Sequence, residues 1–312
     1  MAVNANLLVS GNATLNRENL IDLFKTVGQG DTPFRDGIRK TKATNTLHEW
    51  GLQSLAEPGE NAALEGDSFD VQAMAVPERI NNKTQIFKKV IGISDTELAI
   101  NNAGAIHSLA NNLQRVMKEM KRDEETRLLR GSKIDVAAGG VGVKMRGVDG
   151  FLKTNLSMGV NGVAPDYAAN TARTGGTARA FSETLLKNVI AKIWDKGGKP
   201  DVIICSFGRK QAFSGFYTAT QLGMRDANKA SYSARVDVYG SDNGDLKLIP
   251  DYCALASSVL VLEMDTWRLA TLREITQTKL PKSSDSTCMA ITHEVTLEAL
   301  SEAANGAVHD LT

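Results

Sequence analysis

His293 and Glu294 stand side by side, as the first two positions of a zinc-hydrolase motif do. Such a site needs a second histidine one helical turn later to complete the metal's ligands, and Leu297 occupies that position. His48-Glu49 fails in the same way. The chain holds 4 histidines in all, scattered too widely for metal-ligand spacing. Gly142 and Gly147 have the separation of a phosphate loop, but Val148 and Asp149 replace the lysine and the hydroxyl residue that grip phosphate and magnesium, so the glycines read as a flexible connector. Asp242 to Asp245 is too short for a calcium loop. No GxSxG nucleophile elbow occurs.

Cys205 ends an apolar run and reads as an inert buried thiol. Cys253 and Cys288 complete an odd set without CxxC spacing, which reads as reduced thiols. Lys83, Lys88 and Lys89 are solvated charges before they are reactive amines. Glu124 and Glu125 are adjacent helix positions and point apart. These residues assemble no active site, metal site or cofactor site, so the reading is of a non-enzyme.

The elements around them are organised on the stretch from Ser94 to Arg130. Ser94 and Glu97 have capping-box spacing. Apolar residues then recur at helical intervals through Leu98, Ile106, Leu113, Val116, Met120 and Leu128, and Gly131 can close the helix in a left-handed cap. The spacing predicts a single rod of roughly 50 Å, with Gly104 as a weak point costing about 1 kcal/mol against alanine.

Before it, residues 1–14 read as mostly polar, Gly28 to Lys42 is loop-like, and Thr44 to Leu52 is extended. Runs near Phe69–Val76 and Thr84–Ile93 predict a long hairpin with its tip at Pro77–Asn82. The first limb carries Glu57, Glu60, Glu65, Asp67 and Asp70; the second carries Arg79, Lys83, Lys88 and Lys89. The charges can pair across the hairpin or reach a neighbouring subunit.

After the rod, a helix is predicted over Ser182–Asp195, ended by Gly197 and Gly198. A buried strand over Asp201–Cys205 and a helix over Arg209–Tyr217 follow, then an Asn-Gly hairpin at 241–245. Strands at Val259–Glu263, Trp267–Leu272 and Cys288–Leu300 come next, the last with one buried face. Asn305–Thr312 reads as a turn and tail. The class is α+β.

With 36 basic and 36 acidic residues in 312, the net charge is zero. That argues against a dedicated nucleic-acid binder and permits dense packing of identical copies. The first ten residues lack a signal peptide's pattern, and no stretch is long and apolar enough to span a membrane.

Six stretches carry a resemblance: Thr32-Pro-Phe-Arg-Asp-Gly-Ile, Lys42-Ala-Thr-Asn-Thr-Leu-His-Glu-Trp, Asn82-Lys-Thr-Gln-Ile, Lys118-Glu-Met-Lys-Arg-Asp-Glu-Glu, Val236-Asp-Val-Tyr-Gly-Ser-Asp-Asn-Gly and Leu269-Ala-Thr-Leu-Arg. In this order they resemble the major capsid proteins of tailed bacteriophages with the Hong Kong 97-type fold, in the branch of the elongated-head coliphages. The resemblance implies an N-terminal arm (1–52), an E-loop (53–93), a peripheral domain with a spine helix (94–131 and 259–300) and an axial domain (132–258 and 301–312).

It also implies self-assembly into pentamers and hexamers of a closed shell around double-stranded DNA, held without base reading. No long helical segment precedes the arm, so either scaffold is a separate chain or this is a processed form, and Met1 favours the separate chain. Portal and decoration proteins would be further partners, and the virion, assembled in the host cytoplasm, the location. Subunit-interface residues would be Glu57, Glu60, Glu65, Asp67, Arg79, Lys83, Lys88, Lys89 and, in a loop meeting others at a threefold, Lys282. A cellular compartment shell of the same fold and an enzyme with an unrecognised site are the competing functions.

Overall fold

The computed structural model describes residues 31–53, 55, 59–60, 62, 65–66, 76–100, 109–136, 142–216, 237–282 and 284–312. Two sheets organise them. The first runs in the order β1 (Arg39–Lys42), β10 (Trp267–Lys279), β11 (Ser286–Ala299), β4 (Gln85–Ser94), with β1 parallel to β10 and the other pairs antiparallel. The second runs β5 (Leu156–Ser157), β12 (Gly306–Val308), β9 (Val259–Leu262), β6 (Val202–Cys205), β8 (Gly244–Pro250), β7 (Val238–Ser241). A two-stranded ladder joins β2 (Leu47–Leu52) to β3 (Glu78–Lys83).

Successive strand residues face opposite ways, and β6 and β9 are apolar at every position because both faces are covered. Ile203, Cys205, Val259 and Val261 pack with Leu186, Val189, Ile190 and Ile193 of α5 (Glu183–Asp195) and Phe213 of α6 (Phe207–Phe216). Val202, Ile204, Leu260 and Leu262 belong to the larger core, with Trp267, Leu297 and Phe151 of the short α4 (Val148–Phe151). The six-stranded sheet thus separates two apolar layers. Val259–Leu262, expected with the peripheral residues, hydrogen-bond between β6 and β12 within it.

The predicted rod is interrupted. Ser94 Oγ does accept from Glu97 N at 3.1 Å, but α2 (Asp95–Ala99) stops there and Ile100 is extended, with ψ 135°. The long helix, α3, is Leu109–Arg130, 22 residues or about 33 Å. Gly104 lies outside the described residues. Gly131 is not left-handed either. Its N–H continues the helix to Arg127 O (2.9 Å), and its carbonyl accepts from Gly147 N (2.9 Å). A Cβ on Gly147 would sit 2.3 Å from Leu128 O, so the glycine serves close approach. The connector read as flexible is buried from Met145 to Leu152 and holds the end of α3.

α5 ends as expected. Gly197 takes φ +79°, Gly198 N reaches Ile193 O and Gly197 N reaches Trp194 O, the paired bonds of a Schellman cap. The segment read as loop before Lys42 holds α1 (Pro33–Gly37) and β1 instead. Phe34 is fully buried, edge-on to Trp267 at 6.0 Å. Residues Asn305–Leu311, read as a tail, are buried and include β12. β11 is buried on both faces over its second half, not on one.

Candidate functional site

The hairpin expected between residues 69–76 and 84–93 does not form as drawn. Residues 69–75 lie outside the described part, the supposed tip is strand β3, and its partner is β2. β4 lies along β11 over ten residues, from Gln85↔Val295 to Ser94↔Ser286. Alternation explains the choice. Phe87, Lys89 and Ile91 turn to the side less open to solvent, leaving Ile86, Lys88 and Val90 outward, and such a one-sided pattern fixes the register of the pairing.

The candidate interface residues disperse accordingly. Glu57 and Asp67 lie outside the described residues; Glu60 and Glu65 are exposed. Arg79 is exposed and 3.6 Å from Glu49 across the β2–β3 ladder. Lys83 is half-buried at the end of β3, opposite Leu47. Lys88 is exposed. Lys89 turns the other way and bridges Asp123 (2.9 Å) and Glu119 (3.4 Å) of α3. Lys282 pairs with Asp95, which also accepts from Thr287 Oγ1. Among the described residues, the pairings of Arg79, Lys89 and Lys282 are with residues outside the acidic limb.

The chemistry-bearing residues are structural. His293 and Glu294 point to opposite faces of β11. His293 Nδ1 lies 2.6 Å from Glu124, while Glu294 accepts from Thr84 Oγ1 (2.7 Å) and Arg273 Nε (2.6 Å). Glu124 also receives Arg35 Nε at 2.5 Å. Glu125 accepts the amides of Phe34 and Arg35, both at 2.8 Å, capping α1. Both glutamates are fully buried. Burial, and then the neighbouring charge of Asp251, push the Glu125 carboxyl up to about 8. Burial pushes the Cys205 thiol up to about 12, consistent with an inert group.

One constellation escaped the sequence. Ser258 Oγ is 2.8 Å from His309 Nδ1, and His309 Nε2 is 3.8 Å from Asp149. The order Ser…His…Asp suggests a triad, but all three are buried (3 %, 0 % and 5 % exposed), so no substrate reaches the hydroxyl. Burial, then Arg173, hold His309 neutral with a pKa down to about 3. Arg173 bridges Asp149 (3.3 Å) and Asp310 (3.1 Å), tying α4 to the segment that follows β12. Among the described residues no group of three or more His, Cys, Asp or Glu could hold a metal ion, and no helix is long and apolar enough to cross a membrane.

What remains is surface. Leu55, just after β2, is 97 % exposed, and Val76, just before β3, is 89 % exposed. Ile86 and Val90 open from β4, and Leu98 and Ile100 from α2 and its end.

The family model described as SU10 major capsid protein matches residues 8–312. A major capsid protein of Escherichia phage Phieco32 is 26% identical over 340 residues, covering 97% of this chain and 96% of the relative. Among solved structures, the cyanophage A-1(L) capsid asymmetric unit is similar at a TM-score of 0.69 with 11% identity, covering 98% of this chain and 100% of that one. The capsid of a native GTA particle is similar at 0.65 with 14% identity, over 100% of both chains. The fold is the Hong Kong 97-type anticipated from the six stretches.

Proposed function

The chain belongs to the SU10 major capsid protein family and is a major capsid protein of a phage head, and from that premise we propose that its copies join as pentamers and hexamers through the segment between β2 and β3. In this reading the part of residues 53–93 between β2 and β3 forms the loop laid across a neighbour, β4 anchors it on β11, and residues 1–52 are the arm, whose β1 edges the same sheet. α3 with the four-stranded sheet is the peripheral part, and the six-stranded sheet with α5 and α6 is the axial part. The observation that carries it is the exposure of Leu55 and Val76 at the two feet of the loop, beside a ladder of two strands. Trp50 and Ile80 seat one side of that ladder on the chain's own core, and in this reading the exposed feet of the loop gain their cover from another copy.

Glu57, Glu60, Glu65, Asp67, Arg79, Lys83, Lys88, Lys89 and Lys282 are the interface set of this reading. Lys88, exposed on the outer face of β4, is the cation best placed for a neighbour. Heterologous contacts of this kind close into rings, and a standard interface of about 1,600 Å² repeated on several sides gives stability by multivalency.

Scaffold, portal and decoration proteins are further partners, and assembly takes place in the host cytoplasm. Packaged double-stranded DNA is met through its phosphates; the zero net charge supports weak contact. The chain has no catalytic role, which the burial of Ser258, His309 and Cys205 supports.

Electron microscopy of the purified chain tests the reading. Closed particles are expected. A compact monomer whose loop folds back on its own body overturns it.

A further inference from the structure

We propose that the cleft between α5 and the free edge of β7 receives an extended stretch of a second copy of this chain, neutral or basic in charge. The inference rests on the shell reading above and adds a contact outside the loop and arm. The cleft encloses about 600 Å³ between one flank of α5 and the turn from β7 to β8. Trp194 lines it at 57 % exposure, with Ala191 beside it one turn back. Trp194 stands apart from the buried positions of the helix, which are Leu186, Val189, Ile190 and Ile193. An indole left in water beside a concave surface is the kind of aromatic anchor that partner chains bury.

Two further observations say what fits. β7 ends the order of its sheet, with β8 on its other side, so its outward backbone groups meet no described strand. A free edge of this kind takes an added strand. Asn243, which lines the same cleft, has both its amide nitrogen and its amide oxygen buried without a hydrogen-bond partner. A backbone laid along the cleft supplies the carbonyl and the N–H that this amide lacks.

Charge selects among occupants. Glu183, Asp195 and Asp242 line the cleft against the single cation Lys187. That excess repels nucleic-acid phosphate, and it repels the acidic limb carrying Glu57, Glu60, Glu65, Asp67 and Asp70. The whole chain is neutral, so each copy carries a compensating basic surface elsewhere. β1, with Arg39, Lys40 and Lys42 exposed in four residues, is an example of extended backbone with that character. A capsid protein meets its own copies on every side within the shell, which makes a second copy the occupant at hand.

The test uses intact particles. A photoreactive benzoyl-phenylalanine is placed at Ala191, an exposed position in the cleft that leaves Trp194 in place. Shells are assembled from equal parts of heavy-isotope and ordinary chain, checked for closure by microscopy, irradiated, and digested for mass spectrometry. Mixed heavy–light cross-linked peptides are expected from shells, with loss of the signal when shells are dissociated before irradiation. Trp194→Ala should lower the temperature at which shells rupture and leave the circular dichroism of the unassembled chain unchanged. Closed shells whose cross-links stay within one chain, go to another protein, or do not form overturn the inference and leave the shell reading standing. Failure to form shells with the unmodified chain overturns the reading beneath it.

Discussion

Arg35 and Glu124 meet at 2.5 Å, Nε to Oε2, with 6 % and 0 % of their side chains exposed. Glu124 passes the contact on to His293 Nδ1 at 2.6 Å, so α1, α3 and β11 are joined through one carboxylate. Removing one member of a buried ionic group leaves the others desolvated and unpaired, at a cost of about 3–5 kcal/mol. Glu124→Ala should lower the unfolding free energy of the purified chain by that much, read as a lower denaturant midpoint at unchanged slope, and Glu124→Gln, which keeps a hydrogen-bonding oxygen, by less. Equal midpoints for Glu124→Ala and the parent would show that the network contributes nothing.

The adjacent glutamate sets a pH dependence. The carboxyl of Glu125 is raised from 4.5 to about 8 by burial and by Asp251, against the two backbone N–H groups it accepts. The folded chain therefore binds a proton that the unfolded chain has released between those values, and stability falls as pH rises through that range. His309 works in the opposite sense. It is lowered from 6.5 to about 3, so its contribution is complete above 6.5 and is lost as pH falls toward 3. From pH 6.5 to 8 Glu125 acts without that opposition. Urea titrations across this window should show a declining midpoint for the parent and a flatter one for Glu125→Gln. An unchanged slope in the variant would assign the dependence to other groups.

How far these joints could be read from sequence depends on the range of the physics involved. α5, β6 and the β7–β8 hairpin were legible because their signals are local: 3.6-residue periodicity, a continuous apolar run, an Asn-Gly turn with Gly244 at φ +119°. The partner of β3 was not, because β2 lies 26 to 36 residues away by the register Leu52↔Glu78 and Leu47↔Lys83, and no local pattern encodes a pairing of that span. Glu124 and Glu125 read only as adjacent helix positions that point apart. Their burial depends on Arg35 and on the N-terminus of α1, in a stretch that composition alone makes a loop. Gly147 read as connector because only the packed helix end reveals that its missing Cβ lets two backbones meet. In the interface set, charge segregation was visible, but which face of β4 each lysine takes depends on the β4–β11 register.

That register separates two neighbouring lysines. Lys89 bridges Glu119 and Asp123 in its own chain, at 28 % exposure, whereas Lys88 faces out. Partly exposed bridges contribute about 0.2–1 kcal/mol. Lys89→Glu should lower the unfolding midpoint of the unassembled chain slightly. Lys88→Glu should leave that midpoint alone and reduce particle yield and salt resistance in sedimentation assays. A Lys88→Glu chain that assembles normally at all salt concentrations would remove Lys88 from the interface set.

Asn82 fastens the foot of the loop to the body. Fully buried, its Nδ2 donates to the carbonyls of Arg146 and Leu297, both at 2.9 Å, and its Oδ1 accepts from Arg146 N at 2.9 Å and Lys83 N at 3.0 Å. One side chain thus satisfies backbone groups of β3, β11 and the segment leading into α4. Each buried backbone group left without a partner costs about 1–3 kcal/mol, so Asn82→Ala should destabilise the chain by at least about 3 kcal/mol. Asn82→Asp keeps the acceptor but turns the two donor contacts into repulsions between oxygens, and should be at least as damaging. Because the damage is confined to the joint between loop and body, amide hydrogen exchange in Asn82→Ala should rise most in β2 and β3, with α5 and β6 little changed. A uniform rise over the whole chain would mean that the joint has no separate stability, and that loop and body unfold as one.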